Sequence, residues 1–166
     1  MAKLALVRID SRLIHGQVAT QWIKRVEAKR VIIVDDAAAA DEFMASIFQM
    51  AAPPGISVDV YSTQVAGEEW TKDQFGNKGP VLVLFRSVPQ AFSAWNCGFQ
   101  FPELQLGGIG GGPGCVNVAG PVALDKEDGG MLHELHKKGV HIYFQVTPNM
   151  NVTSWDTVKA KFFKEL

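Results

Sequence analysis

Short runs rich in β-branched and aromatic residues recur at Leu4 to Ile9, Val31 to Val34, Ser57 to Tyr61, Val81 to Phe85, Leu104 to Leu106 and His141 to Val146. As a set they are too apolar for a sheet with one wet face, and they read as strands covered on both sides. Helical spacing fills the gaps. Val18, Trp22 and Val26 fall four apart with Ala19 and Ile23 beside them, which predicts an amphipathic helix over Gln17 to Glu27. A second helix follows Asp35 and Asp36, with Phe43, Ile47 and Met50 on one face, and Ala51-Ala52-Pro53-Pro54-Gly55 stops it. Ser87 to Trp95, Asp125 to about Lys138, and Thr153 to Phe163 give three more. Gly107 to Gly120 reads as a long irregular loop. Strands alternating with helices predict a single-domain α/β fold: a mostly parallel, open, twisted sheet with helices on both faces.

Size and charge narrow the classes. The chain has 166 residues, 47% of them hydrophobic and 20% charged, which suits one globular domain spanning 1–166. Sixteen basic and 17 acidic residues give a formal net charge of −1, so no overall field favours nucleic acid or an anionic membrane. No apolar run reaches the length of a membrane span, and MAKLALVRIDSR carries no cleavage signal, so a cytoplasmic location is expected. Cys97 and Cys115 lack metal or redox spacing and read as ordinary thiols.

In an open parallel sheet, ligands gather where the carboxyl ends of the strands meet the following loops. The first such loop, Asp10-Ser11-Arg12-Leu13-Ile14-His15-Gly16, holds a carboxylate, a hydroxyl, a guanidinium and an imidazole just before a helix. That combination suits phosphate. A neutral imidazole can attack phosphorus and forms a labile phosphorus–nitrogen bond. Arg12 offers a planar fork of donors to phosphoryl oxygens. Gly16 lets backbone approach closely, and the helix start aims amides and a partial positive charge at an anion. Asp10 could orient either the ring or the Arg12 guanidinium. Arg86 and Ser87, at another strand end, could face the same crevice, although Ser87 could equally be only a helix cap. Leu13 and Ile14 are either tucked beneath the loop or exposed as a patch for partner docking.

The run Arg8-Ile9-Asp10-Ser11-Arg12-Leu13-Ile14-His15-Gly16-Gln17-Val18 resembles the active-site segment of IIB subunits of the mannose, fructose and sorbose family of the sugar phosphotransferase system. The resemblance continues through Val31-Ile32-Ile33-Val34-Asp35-Asp36, the Pro53-Pro54-Gly55 break and Gly139-Val140. It implies that His15 is phosphorylated by a IIA phosphohistidine and passes phosphate to a sugar carried by membrane IIC and IID subunits. The chain would then be a protein-N(π)-phosphohistidine–sugar phosphotransferase component, with no dissociable cofactor and peripheral contact with the transporter. A homo-oligomer is compatible with this. One departure is Gln145, where some family members place an arginine; Arg86 is the candidate replacement.

Other constellations carry less. The glycine-rich Gly107 to Gly114 stretch is followed by Cys115-Val116-Asn117-Val118, not by a helix, which argues against a dinucleotide fingerprint. His133 and His136 stand three apart without a third metal ligand in sequence, and no metal site is expected. Asp35 and Asp36 read as helix caps, with magnesium binding or acid/base work as the alternative. The competing function is a nucleotide- or sugar-phosphate-binding module that is never phosphorylated.

Overall fold

A computed structural model describes residues 3–166, and all their side chains except those of Gln17 and Val18. The expected contribution of Val18 to the first helical stripe therefore lies outside the described residues. Seven strands form one sheet: β1 (Leu4–Asp10), β2 (Arg30–Val34), β3 (Ser57–Tyr61), β4 (Val81–Phe85), β5 (Glu103–Gly108), β8 (His141–Phe144) and the short β9 (Thr153–Ser154). Their spatial order is β3-β2-β4-β1-β5-β8-β9, and every pairing is parallel except β8 with β9. A separate antiparallel hairpin joins β6 (Val116–Ala119) to β7 (Val122–Leu124).

Strand alternation sends successive side chains to opposite faces, and each face has its own helices. On one side α1 (Gly16–Arg25), α2 (Asp36–Ala39) and α3 (Glu42–Met50) bury Trp22, Ile23, Ala38 and Phe48 against Leu6, Val31, Ile33 and Leu84. On the other, α4 (Thr63–Asp73), α5 (Val88–Asn96), α6 (Lys126–Lys137) and α7 (Trp155–Phe162) cover Val7, Ile9, Ile32, Val34, Val83 and Phe85. Each fully buried aliphatic or aromatic side chain contributes about 1.5–3 kcal/mol. Two-sided burial is therefore the main force holding β1 at the middle of the sheet, and the end of β1 is where the candidate chemistry begins. Among the described residues no helix is long and apolar enough to cross a membrane.

Several elements differ from expectation. The second helix is two helices, because Asp41 accepts from the amides of Phe43 and Met44 and starts α3 afresh. Phe43, Ile47 and Met50 do share a face, but it is the solvent face; Phe48 packs inward instead. Gly107 and Gly108 belong to β5, and the β6–β7 hairpin begins at Val116, so the irregular stretch is only residues 109–115. Thr153 and Ser154 pair with β8 before α7 begins.

The helix α4 left no apolar stripe in sequence because its buried positions are small: Thr63, Ala66 and Gly67. It crosses α5 at close range, and a Cβ on Gly67 would lie 2.6 Å from the Cys97 carbonyl carbon. Two effects compete in Gly67→Ala. Helix propensity favours alanine by roughly 0.5–1 kcal/mol, whereas forcing a group into a filled contact costs about 1–3 kcal/mol. The collision is with backbone, so destabilisation should win. Urea melts should show a lower midpoint; an unchanged or raised midpoint would contradict this packing.

Candidate active site

The site follows from the alternation of β1. Leu6, Arg8 and Asp10 occupy alternate positions along the strand, and the same-face rule directs Arg8 and Asp10 toward α1. The Arg8 guanidinium lies over the Trp22 ring of that helix, 5.4 Å from its centroid. Just after Asp10 the chain turns sharply. The Leu13 amide donates to the Asp10 carbonyl at 2.8 Å and the Ser11 amide to the Gly108 carbonyl at 2.8 Å, tying the loop to β5.

Two residues of this loop have positive φ, Leu13 at 57° and Gly16 at 39°. At Leu13 an L side chain is held in a sparsely populated region, and burial among Ala19, Trp22 and Ile23 supplies the compensation. At Gly16 a Cβ would meet nothing within 4 Å, so glycine is needed for its backbone conformation and not for room. The turn at Gly16 starts α1, with His15 as its N-cap in extended conformation and no side-chain cap bond. The imidazole is thus free for other work, beside helix amides that lack intrahelical acceptors.

His15 Nε2 lies 3.2 Å from Asp10 Oδ2. The carboxylate is buried and the His15 side chain is 22% exposed, so the ring spans the boundary between interior and solvent. When Nε2 carries the proton and donates it to Asp10, the lone pair is on Nδ1, which makes no hydrogen bond among the described residues. Asp10 Oδ1 accepts from the Arg12 amide at 3.1 Å and lies 3.5 Å from Arg12 Nε. The Arg12 side chain is 60% exposed, so its fork retains donors for an incoming anion. Arg86 reaches the same loop from the end of β4: its Nε pairs with Asp35 Oδ2 at 3.2 Å and a terminal nitrogen donates to the Ser11 carbonyl at 3.4 Å.

The structure brings Asp10, Arg12, His15, Gly16 and Arg86 together. Ser87 sits next to Arg86, but its hydroxyl caps α5 by accepting from the Gln90 amide. Asp35 caps α2 while holding Arg86, and Asp36 accepts from the amide and hydroxyl of Thr63. Of the two readings of Leu13 and Ile14, the structure shows the tucked one: they are 1% and 5% exposed, and the positive-φ turn at Leu13 folds the pair under the loop, which leaves them no exposed patch for partner docking. Gln145 does not face the loop as a free polar group. Its amide donates to the carbonyl of Met150 at 3.1 Å. His133 and His136 stack at 6.3 Å on α6, apart from this site.

Arg8 is the residue that sequence reasoning missed. It is buried beside Asp10, with a terminal nitrogen 3.4 Å from Oδ2. Burial lowers its pKa and Asp10 opposes the shift, yet an arginine starts so high that it remains charged. A charged residue inside an otherwise apolar strand, two positions before Asp10, was the available signal.

Replacing Leu13 tests whether it belongs to the core. Leu13→Ser removes a buried side chain from a packed cluster, and a loss of about 2–4 kcal/mol in unfolding free energy is expected. A folded variant with unchanged stability would restore the exposed-patch reading.

Residues 4–165 match the family model described as the sorbose subfamily IIB component of the phosphotransferase system. The chain is 35% identical over 153 residues to the sorbose-specific EIIB component of Klebsiella pneumoniae, covering 90% of this chain and 93% of that protein. It is 32% identical to the sorbose-specific EIIB component of Lacticaseibacillus casei, covering 86% and 87%. Among solved structures, manxB from Thermoanaerobacter tengcongensis superposes with a TM-score of 0.89 at 35% identity, covering 98% of each chain. The IIBSor domain of the Klebsiella pneumoniae sorbose permease gives 0.88 at 33% identity, over 97% and 99%. With the sheet, the loop geometry and these likenesses in agreement, the chain belongs to the mannose, fructose and sorbose family of phosphotransferase-system IIB components.

Proposed function

We propose that this chain, taken as one IIB domain over residues 1–166, is a phosphocarrier in which Nδ1 of His15 receives a phosphoryl group from a phosphorylated IIA protein. It then gives the group to a sugar during uptake through IIC and IID subunits. The observation that carries this reading is the imidazole held through Nε2 by a buried carboxylate, at a helix N-terminus and beside exposed Arg12. Asp10 fixes the tautomer, so the reactive lone pair is directed away from it.

In the first transfer the Nδ1 lone pair forms a nitrogen–phosphorus bond as the bond in the donor phosphohistidine breaks, and the donor ring keeps that electron pair. In the second, a sugar hydroxyl oxygen bonds to phosphorus, the His15–phosphorus bond breaks, and the hydroxyl proton leaves to a base in the transporter. The chain is regenerated unchanged. Arg12 and Arg86 offset charge on the phosphoryl oxygens in both steps, and the Gly16 amide at the start of α1 adds a backbone donor. Phosphohistidine carries ring charge while Nε2 stays protonated, and Asp10 stabilises that charge.

The sorbose-specific names of two relatives make sorbose and related hexoses the first acceptors to offer. Family membership favours this carrier over a module that binds a phosphorylated ligand without accepting phosphate. Catalysis would occur at the cytoplasmic face of the membrane, where IIC and IID present the sugar.

His15→Ala should keep the fold and lose all phosphoryl acceptance, because a partly exposed N-cap ring supplies little packing but the only proposed nucleophile. Intact-protein mass spectrometry after incubation with phosphorylated IIA, alongside circular dichroism, reads both. Wild type should gain one phosphoryl group and the variant none. Labelling of the variant would mean another acceptor. Unlabelled wild type that saturably binds a nucleotide or sugar phosphate would favour the binding module.

A further inference from the structure

Given the phosphocarrier function proposed above, on which this role rests, we infer that Arg8 is a positioning residue for phosphoryl transfer. It holds the Asp10 carboxylate, and through it the His15 ring, from a slot that a β-bulge opens at Gly107. The register between β1 and β5 places the slot. Arg8 pairs with Gln105 and Ile9 with Leu106, but Asp10 pairs with Gly108, so Gly107 is the extra residue of a bulge. A Cβ at Gly107 would overlap the carbon and both terminal nitrogens of the Arg8 guanidinium. Only glycine leaves that space.

The guanidinium in this slot is met by oxygens from three segments. One terminal nitrogen donates to Gln105 Oε1 and to the Gln145 carbonyl at 2.9 Å. The other donates to the Val146 carbonyl at 2.9 Å and to Asp10 Oδ2 at 3.4 Å. Trp22 Nε1 donates to the same Val146 carbonyl at 2.9 Å, which ties the segment after β8 to α1 as well. The carbonyl and amide acceptors are neutral, so they fix where Arg8 lies without balancing its charge. Asp10 supplies the balancing carboxylate. A purely architectural role could be met by a neutral donor; the positive charge answers the buried carboxylate.

Asp10 Oδ2 is shared between Arg8 and His15, whereas Oδ1 is occupied by Arg12. Each oxygen therefore has a fixed direction, and the carboxylate cannot rotate without losing a charged or a backbone partner. Removing Arg8 would leave a buried carboxylate anchored from the solvent side alone, by the Arg12 amide and an exposed side chain. The Nε2–H tautomer of His15 would lose its fixed acceptor, and Nδ1 would lose its aim.

The test uses the full chain in Arg8→Met, Arg8→Lys, Gly107→Ala, Asp10→Asn and the Arg8→Met/Asp10→Asn double variant. Nitrogen-15 NMR of His15 reads the tautomer without any partner, and single-turnover labelling at saturating phosphorylated IIA reads the chemistry. Thermal melting verifies the fold. Wild type should show one tautomer, protonated on Nε2, and Arg8→Met a mixture with labelling slowed about tenfold or more. Gly107→Ala keeps every charge but displaces the guanidinium, so it should move the same two readouts and serve if Arg8→Met does not fold. Arg8→Lys should recover part of the loss by keeping a charge near Asp10. In the Asp10→Asn background Arg8→Met should have little further effect on rate. Wild-type tautomer and rate in folded Arg8→Met or Gly107→Ala, or additive losses in the double variant, would overturn the role. Wild type that is never phosphorylated would instead sink the carrier function, leaving the tautomer comparison to decide whether Arg8 positions the ring.

Discussion

The site is organised around the need to keep one ionised carboxylate, that of Asp10, inside the protein at the end of the central strand. Water solvates a carboxylate far better than an apolar interior does, so the charge persists only if fixed partners replace water. Here they do: Arg8 from behind, the Arg12 amide and guanidinium from the loop, and His15 from the solvent side. Each partner is placed by a different part of the fold. The strand alternation supplies Arg8, the turn after β1 supplies Arg12, and the start of α1 supplies His15. The sheet must be covered on both faces for Asp10 to be dry at all.

Under the proposed function this arrangement separates holding from reacting. Nε2 of His15 is engaged at 3.2 Å with the buried oxygen, while the opposite ring nitrogen makes no hydrogen bond among the described residues and Arg12 is largely exposed. A carrier that must meet two partners benefits from such a division. The inner contacts need not change as the phosphoryl group arrives and leaves, and the outer guanidinium is exposed enough to adjust to each partner. Arg86 is steadier, since Asp35 fixes its Nε while the rest of its fork points along the loop.

Much of this was legible in the chain. The apolar strands announced a sheet buried on both faces, and the spacing from Asp10 to His15 marked the candidate loop at the end of the central strand. The elements that were not legible have physical reasons for it. α4 packs through Gly67 and Ala66, whose small side chains leave no apolar stripe. The β6–β7 hairpin hid in a glycine-rich stretch because several of those glycines suggest a loop, although Gly107 and Gly108 sit in a strand. Leu13 and Ile14 could be read as buried or exposed because a loop gives no periodicity from which to read direction; a single positive φ at Leu13 turns them inward. Arg8 was overlooked although its place two positions before Asp10 was a local signal, because its other partners, two carbonyls and a glutamine, lie more than 90 residues away.

The claim that everything turns on is that Asp10 reserves Nε2 and leaves Nδ1 to react. Assigning the phosphorylated nitrogen of His15 by phosphorus- and nitrogen-edited NMR, after labelling from phosphorylated IIA, addresses it directly. Phosphate on Nδ1 with Nε2 still protonated is the expected product. Phosphate on Nε2 would require the ring to leave Asp10 before reacting, and would contradict this division of the ring between holding and reacting.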